Sequence, residues 1–181
     1  MMTIQSAKIT SSKLVMGNPA PALAVKTLDG TPWNLADQHP QNYTMVVFYR
    51  GLHCPVCAQY LVALAQKLEA FQKLGVNAIS ISSDTQERAQ SFQAQFNIPN
   101  LTIGYGLTQN DMRRWGLYVS KGHFENEPDF FNEPALFLVK PDGRLYFGNV
   151  GTHPFSRVSL DFLLQGLEYV IANQYPFRGT E

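Results

Sequence analysis

Two cysteines, Cys54 and Cys57, carry the clearest chemical signal in the sequence. They are the only cysteines in the 181-residue chain, and two residues separate them in a C-x-x-C arrangement. A fold stapled by disulfides would need more cysteines, so this pair favours catalysis or metal binding. A structural zinc site normally has four ligands, and the other candidates are scattered histidines: His39, His53, His123 and His153. A redox role is favoured over zinc binding and over a chance pair of core cysteines.

The position of the pair in the chain suits a reactive thiolate. The apolar run Thr44–Tyr49 precedes it, and Pro55 fits the first turn of a helix that follows. Free backbone N–H groups and the positive end of the helix dipole stabilise a thiolate there. The thiolate is the nucleophile in disulfide exchange and in attack on a peroxide. A spacing of three keeps both sulfurs on one helix face, within reach of a disulfide.

Charged and titratable side chains near the pair are candidates for assisting it. Arg50 is expected to hold an anionic substrate or polarise a peroxide, with a surface ion pair as the alternative. His53 could raise thiolate reactivity or shuttle a proton, the alternative being an exposed loop histidine. For Arg157 a structural pairing is favoured, with reach to the site as the alternative.

Strands and helices must hold the pair in place, and their patterns are clear near it. Apolar residues at helical spacing predict a helix from Ala58 to Leu74, ended by Gly75. A core strand is predicted over Asn77–Ile81, followed by a helix that Ser83 or Asp84 caps and that runs to about Phe96.

The remaining elements complete a mixed sheet. The predicted segments are a hairpin over Ala22–Leu35, a strand at Leu101–Ile103, helical turns at Asn110–Trp115, a hairpin of Ala135–Val139 and Arg144–Val150, and a helix over Ser159–Ala172. Between them, 116–134 is a long irregular connection that is a candidate for function, although its aromatic residues are interpreted as packing. The element order predicts an α/β fold whose mixed central sheet is covered on both sides.

Composition restricts the class of protein. The chain has 45% hydrophobic residues and a formal net charge of zero, which indicates one globular domain without attraction to nucleic acid or an anionic membrane. The weak net charge is compatible with self-association, including a homodimer. Residues 1–16 are expected to form an N-terminal arm. Their lack of a long apolar run argues against a signal peptide or membrane span, so a cytoplasmic location is expected.

The block Phe48–Cys57, FYRGLHCPVC, resembles the peroxiredoxin-like AhpC/TSA redoxins of the thioredoxin-fold superfamily. It is most similar to a subgroup with an R-G-x-x-C-P-x-C active-site loop. The resemblance extends over 17–181 as a single domain, from Gly17-Asn18-Pro19-Ala20-Pro21 to the tail at Tyr175–Gly179. It implies a thioredoxin-like fold with an N-terminal β extension.

Matched to the peroxiredoxin pattern, Cys57 falls at the cysteine that attacks the peroxide. Cys54 then replaces a threonine and Arg50 a proline. Pro134 stands where the family carries an arginine that activates the peroxide. These departures weaken the peroxidase interpretation, although Arg50 or Arg157 could substitute for the missing arginine.

Matched to thioredoxin, Cys54 is the exposed attacking cysteine and Cys57 the buried resolving one. Pro134 matches the proline whose cis peptide bond faces the disulfide, and Gly151 matches a glycine that lines the same groove. The buried aspartate of thioredoxin would fall at Val46 or Val47 and is absent, so another group or water must move its proton.

The favoured function is therefore thiol–disulfide oxidoreduction. The first alternative is a thiol-dependent peroxidase with Cys57 or Cys54 attacking the peroxide, and the second is a non-enzymatic redox sensor or partner-binding module. The expected site consists of the two cysteines and the residues that line it: Arg50, His53, Pro55, Pro134, Gly151 and Arg157. No cofactor or metal is implied, whereas a thiol electron donor is needed, such as a thioredoxin, a reductase or glutathione.

Overall fold

The computed structural model describes residues 14–181. A seven-stranded mixed sheet forms its centre. Its strands are β1 (Ala24–Thr27), β2 (Pro32–Asn34), β3 (Tyr43–Phe48), β4 (Val76–Ile81), β5 (Ile103–Tyr105), β8 (Ala135–Val139) and β9 (Leu145–Val150). They lie in the order β2-β1-β5-β4-β3-β8-β9 across the sheet. Strands β3, β4 and β5 run parallel, whereas β8 pairs with β3 in the antiparallel sense. The predicted mixed sheet is confirmed.

Four α-helices accompany the sheet within residues 14–181: α1 (Pro55–Lys73), α2 (Gln86–Gln95), α3 (Gln109–Arg114) and α4 (Leu160–Ala172). Successive side chains of β3 point to opposite faces of the sheet and so contribute to two separate parts of the core. Met45 and Val47 pack with residues of α1, α2 and α4, whereas Val46 and Phe48 pack with residues of α3 and the first hairpin. Burial of β3 on both faces explains its continuous apolar run.

Two sequence predictions need correction at this level. The connection 116–134 contains a second small sheet, because β6 (Val119–Lys121) pairs with β7 (Phe130–Asn132). The N-cap of α2 is Thr85, whose hydroxyl accepts from the Arg88 N–H, rather than Ser83 or Asp84. The Asp84 carboxylate points into the protein instead, toward the cysteine loop.

Most of the predicted N-terminal arm, 1–16, lies outside the described residues. Within 14–181, none of the helices has the length and apolarity needed to cross a lipid bilayer.

Candidate active site

The cysteine pair lies at the carboxyl end of β3, at the start of α1. Cys54 is the N-cap of α1 and Pro55 is the first helical residue, as the sequence predicts. The Cys57 N–H donates to Cys54 Sγ over 3.2 Å, so the sulfur satisfies a backbone donor that the helix leaves free. The two sulfurs form a disulfide, with their Cα atoms 5.3 Å apart. The pair therefore closes its disulfide within one intact helical turn.

Both cysteines are buried in this oxidised state. Cys54 is 2% exposed and Cys57 is 0% exposed. The expectation of an exposed Cys54 is wrong for the disulfide form, because Cys54 packs in the same core cluster as Cys57 and Leu61.

A guanidinium contacts one of the two sulfurs. Arg157 Nη2 donates to Cys57 Sγ over 2.9 Å, and its Nε donates to the Pro154 carbonyl over 2.6 Å. Burial lowers the pKa of Arg157 to about 10, against the raising effects of Tyr60 and Glu133, so the group stays positive at neutral pH. A cation at this distance favours the thiolate form of a reduced Cys57.

Pro134 lies on the other side of this arginine. Together with Tyr60, Ser156 and Arg157 it lines a cavity of about 10 Å³, room for about one water molecule. The predicted cis bond at Glu133-Pro134 is wrong, since residues 14–181 contain no cis peptide bond. The bond takes the trans form that most X–Pro bonds prefer. The backbone on either side is held by hydrogen bonds, from the Glu133 N–H to Tyr118 O and from the Gly151 N–H to Pro134 O.

Gly151 brings the arginine-bearing segment close to the sheet. Its N–H donates to the Pro134 carbonyl over 2.8 Å. A Cβ at this position would collide with the carbonyl oxygen of Ser156, so only glycine lets the segment fold back here. Gly151 therefore lies beside Pro134, through a close backbone approach.

Arg50 lies in a second charged group beside the pair. Its guanidinium is 3.4 Å from Glu133 Oε2 and 3.8 Å from Glu127 Oε1, and it packs over the ring of Phe131. Glu133 is 4% exposed and also accepts from the Ser120 hydroxyl. The two carboxylates balance the Arg50 charge, and no contact of Arg50 with a sulfur is found among the described residues.

His53 packs against the same ring, that of Phe131. The two rings are 4.5 Å apart, and both imidazole nitrogens are buried without a hydrogen-bond partner among the described residues. Burial, reinforced by the positive charge of Arg50, lowers the pKa of His53 below its ordinary 6.5. The imidazole is therefore neutral near pH 7 and supplies no positive charge to a thiolate.

Asp84 holds the loop that leads into the cysteines. The Leu52 N–H donates to Asp84 Oδ2 over 2.7 Å, and Arg88 Nε donates to Oδ1 over 2.8 Å. The carboxylate lies against Gly51, where any Cβ would clash with it, and the backbone of Gly51 has a positive φ of 128°. Sequence reasoning missed this role. The signal was a glycine two residues before His53 and an acid three residues after a buried strand.

No cluster of histidine, cysteine, aspartate or glutamate residues able to hold a metal ion occurs in the described part of the chain. Aromatic residues of the long connection, with Trp115 just before it, divide into two groups. Trp115 and Phe131 are buried in the core, whereas Tyr118, Phe124 and Phe130 are exposed.

Comparisons with known proteins agree with this geometry. The model of the AhpC/TSA family matches residues 16–147 of this chain. Peroxiredoxin Bcp of Escherichia coli (strain K12) is 26% identical over 132 residues, covering 73% of this chain and 83% of the relative. A putative peroxiredoxin of Mycobacterium tuberculosis (strain H37Rv) is 29% identical over 138 residues, covering 75% and 84%.

Solved structures share the fold at low sequence identity. The peroxiredoxin-like protein from Aquifex aeolicus superposes with a TM-score of 0.71 at 18% identity, covering 88% of this chain and 89% of that one. The reduced 2-Cys peroxiredoxin of Plasmodium vivax gives 0.73 at 20% identity, covering 90% and 86%. The chain belongs to the AhpC/TSA family, with a thioredoxin-like peroxiredoxin fold, and its Cys54–Cys57 pair fits a thiol oxidoreductase or peroxidase activity.

Proposed function

We propose that this protein is a thiol-dependent peroxidase in which Cys57 attacks a hydroperoxide and Cys54 resolves the product. The observation that carries the proposal is the contact of Arg157 Nη2 with Cys57 Sγ at 2.9 Å. A buried guanidinium stabilises both the thiolate and the negative charge that develops on the peroxide oxygens. Arg157 thereby takes the part that the family assigns to an arginine at the position of Pro134.

The reaction follows from the positions of the two sulfurs. The Cys57 thiolate attacks one oxygen of the hydroperoxide, so that an S–O bond forms and the O–O bond breaks. The departing alkoxide or hydroxide takes a proton and leaves as an alcohol or water. The Cys54 sulfur then attacks the Cys57 sulfenic acid, forming the observed disulfide, and the displaced hydroxide leaves as water with the Cys54 proton. An external dithiol or two monothiols reduce the disulfide and restart the cycle.

The expected partners belong to this proposal as well. The reductant is a small thiol or a thiol protein, such as glutathione, a thioredoxin or a reductase, in a cytoplasmic setting. Pro55, Pro134 and Gly151 shape the site, and Arg50 with its two carboxylates borders it on the Phe131 side. A homodimer remains compatible with the zero net charge.

Thiol–disulfide oxidoreduction, the function favoured from the sequence, is retained as the second candidate. The observation in its favour is Cys54 at the N-cap of α1, where its sulfur accepts a backbone hydrogen bond and a thiolate would be stabilised. The trans bond at Pro134 counts against it, because the resemblance to thioredoxin implied a cis bond there. A redox sensor would form the same disulfide without sustained turnover.

Stopped-flow oxidation of the reduced protein by hydrogen peroxide tests the proposal on wild type, Cys54→Ser and Cys57→Ser. Fast oxidation that survives Cys54→Ser and is lost in Cys57→Ser is the expected result. Slow oxidation throughout, together with rapid exchange against a disulfide substrate that needs Cys54, would overturn it in favour of oxidoreduction. Fast oxidation without multiple turnovers under a dithiol reductant would indicate a sensor.

A further inference from the structure

Arg157 lies in a segment without regular structure, between β9 and α4. The tip of this segment is exposed, since Phe155 is 75% exposed and packs mainly on His153. Its beginning is anchored to the sheet by the hydrogen bond from Gly151 to Pro134. The position of the guanidinium over Cys57 therefore depends on what anchors the end of the segment.

Tyr60 supplies that second anchor from α1. It lies three residues after Cys57, on the same face of the helix, and its hydroxyl donates to the Val158 carbonyl over 2.9 Å. Val158 directly follows Arg157, so this bond fixes the backbone beside the arginine. The side chain is held too, because the Arg157 guanidinium packs over the Tyr60 ring at 4.9 Å.

The three contacts of Arg157 form one arrangement. Nε donates to Pro154 within the segment, Nη2 donates to Cys57, and the guanidinium carbon lies over the Tyr60 ring. The ring therefore supports the guanidinium from one side, and the hydroxyl ties the backbone beside it to α1. Tyr60 also lines the small cavity that Arg157 and Pro134 share.

We infer that Tyr60 is a positioning residue that orients Arg157 toward Cys57 through its hydroxyl bond to Val158 and its ring contact with the guanidinium. This inference rests on the proposed peroxidase function. It assigns no bond-making step to Tyr60, whose hydroxyl is engaged with the backbone. It explains how an arginine on an irregular segment maintains a defined geometry without support from a strand.

The test uses Tyr60→Phe, which removes the hydroxyl alone, and Tyr60→Leu, which also removes the ring. Both are made in Cys54→Ser, so that Cys57 is the one reactive thiol, with and without Arg157→Gln. Tyr169→Phe on α4, where the side chain is 60% exposed, is the matched control. Two readouts are measured: the rate of oxidation by hydrogen peroxide, and the rate of alkylation against pH, which reports the Cys57 pKa.

Tyr60→Phe is expected to slow peroxide oxidation by about 3- to 10-fold and Tyr60→Leu by more, with the Cys57 pKa raised in both. In the presence of Arg157→Gln, Tyr60→Phe should have little further effect, because the residue it positions is gone. Equal losses with and without Arg157→Gln, or an unchanged alkylation profile in both Tyr60 variants, would overturn the inference.

The alkylation profile needs no peroxide, so the two proposals fail separately. If Arg157→Gln leaves peroxide oxidation unchanged, the contact of Arg157 with Cys57 no longer supports the proposed peroxidase function. The coupling of Tyr60 to Arg157 is then still measured by the Cys57 pKa. Thermal unfolding identifies a Tyr60→Leu variant that does not fold, and Tyr60→Phe, which retains the ring, then decides the inference alone.

Discussion

Arg157 donates to the sulfur of Cys57 although 100 residues separate the two positions in the chain. The contact joins the start of α1 to the segment that precedes α4. Each of the following predictions tests one part of this arrangement.

Arg157→Gln should slow oxidation of Cys57 by hydrogen peroxide by about 100-fold, because it removes a charged donor aimed at the reacting atoms. Arg157→Lys should fall between wild type and Gln, since it keeps the charge but loses the fixed fork of donors. Stopped-flow kinetics measure both. Arg113→Gln, on the exposed side of α3, is the control and should leave the rate unchanged. A wild-type rate in Arg157→Gln would contradict the prediction.

Gly151→Ala should lower both stability and peroxide oxidation, because its Cβ would push the Ser156 backbone and the neighbouring arginine away from Cys57. The matched control is Gly166→Ala on α4, where a Cβ meets no atom within 4 Å. That change should raise the free energy of unfolding by about 0.5–1 kcal/mol, since alanine has less backbone entropy to lose. Urea unfolding compares the two variants, and equal effects would count against the close-approach argument.

Asp84→Asn should destabilise the fold by about 1–3 kcal/mol, because the buried carboxylate loses its ion pair with Arg88 and its charge-assisted bond from Leu52. It should also broaden the signals of the Gly51–Leu52 loop in NMR spectra. Asp37→Asn, at an exposed position, is the control and should change stability little. Wild-type stability in Asp84→Asn would mean that the loop is held by other contacts.

His53 should make the protein less stable as the pH falls below about 6.5. Burial, with the nearby Arg50 charge, lowers its pKa in the folded state, against weaker opposing effects of Asp84 and Glu127. The unfolded chain therefore binds more protons than the folded one between the ordinary pKa and the lower folded value, so the free energy of unfolding decreases with decreasing pH.

Urea unfolding between pH 7.5 and pH 5 measures this dependence, above the range in which the carboxyl groups titrate. In His53→Gln the free energy of unfolding should decline less steeply as the pH falls. The difference in slope should be at most about the slope that one bound proton contributes. An unchanged or steeper decline in that variant would show that the imidazole is not kept neutral by its surroundings.

Helix α1 should remain folded throughout the redox cycle. Its N-cap and third helical residue carry the two sulfurs, so the disulfide closes without unwinding the first turn. Amide hydrogen exchange of the segment Pro55–Lys73 is therefore expected to be similar in the oxidised and reduced protein. Exchange more than about tenfold faster in either state would indicate local unfolding as part of the cycle.

Part of this protein follows from the sequence by local rules. The continuous apolar run of β3, Pro55 at the first turn and Gly75 after the last turn define a strand–helix junction because each acts on neighbouring residues. The cysteine pair is found in the same way, since its spacing alone brings both sulfurs to one helix face. The resemblance of Phe48–Cys57 to the redoxins then gave the fold.

Tertiary structure alone decided which distant groups come to the cysteine loop and its helix. Arg157 contacts Cys57, Tyr60 binds the backbone beside Arg157, and Asp84 holds Leu52. These contacts depend on how the segments after β9 and β4 pack on the start of α1, which no local pattern encodes. The same limit explains the errors. Asp84 fits a helix cap by position, but its carboxylate accepts from the Leu52 N–H, 32 residues away in the chain, and the bond at Pro134 is trans where the resemblance to thioredoxin implied cis. Spacing along the chain supplies the reactive sulfurs, and long-range packing supplies the charges that act on them.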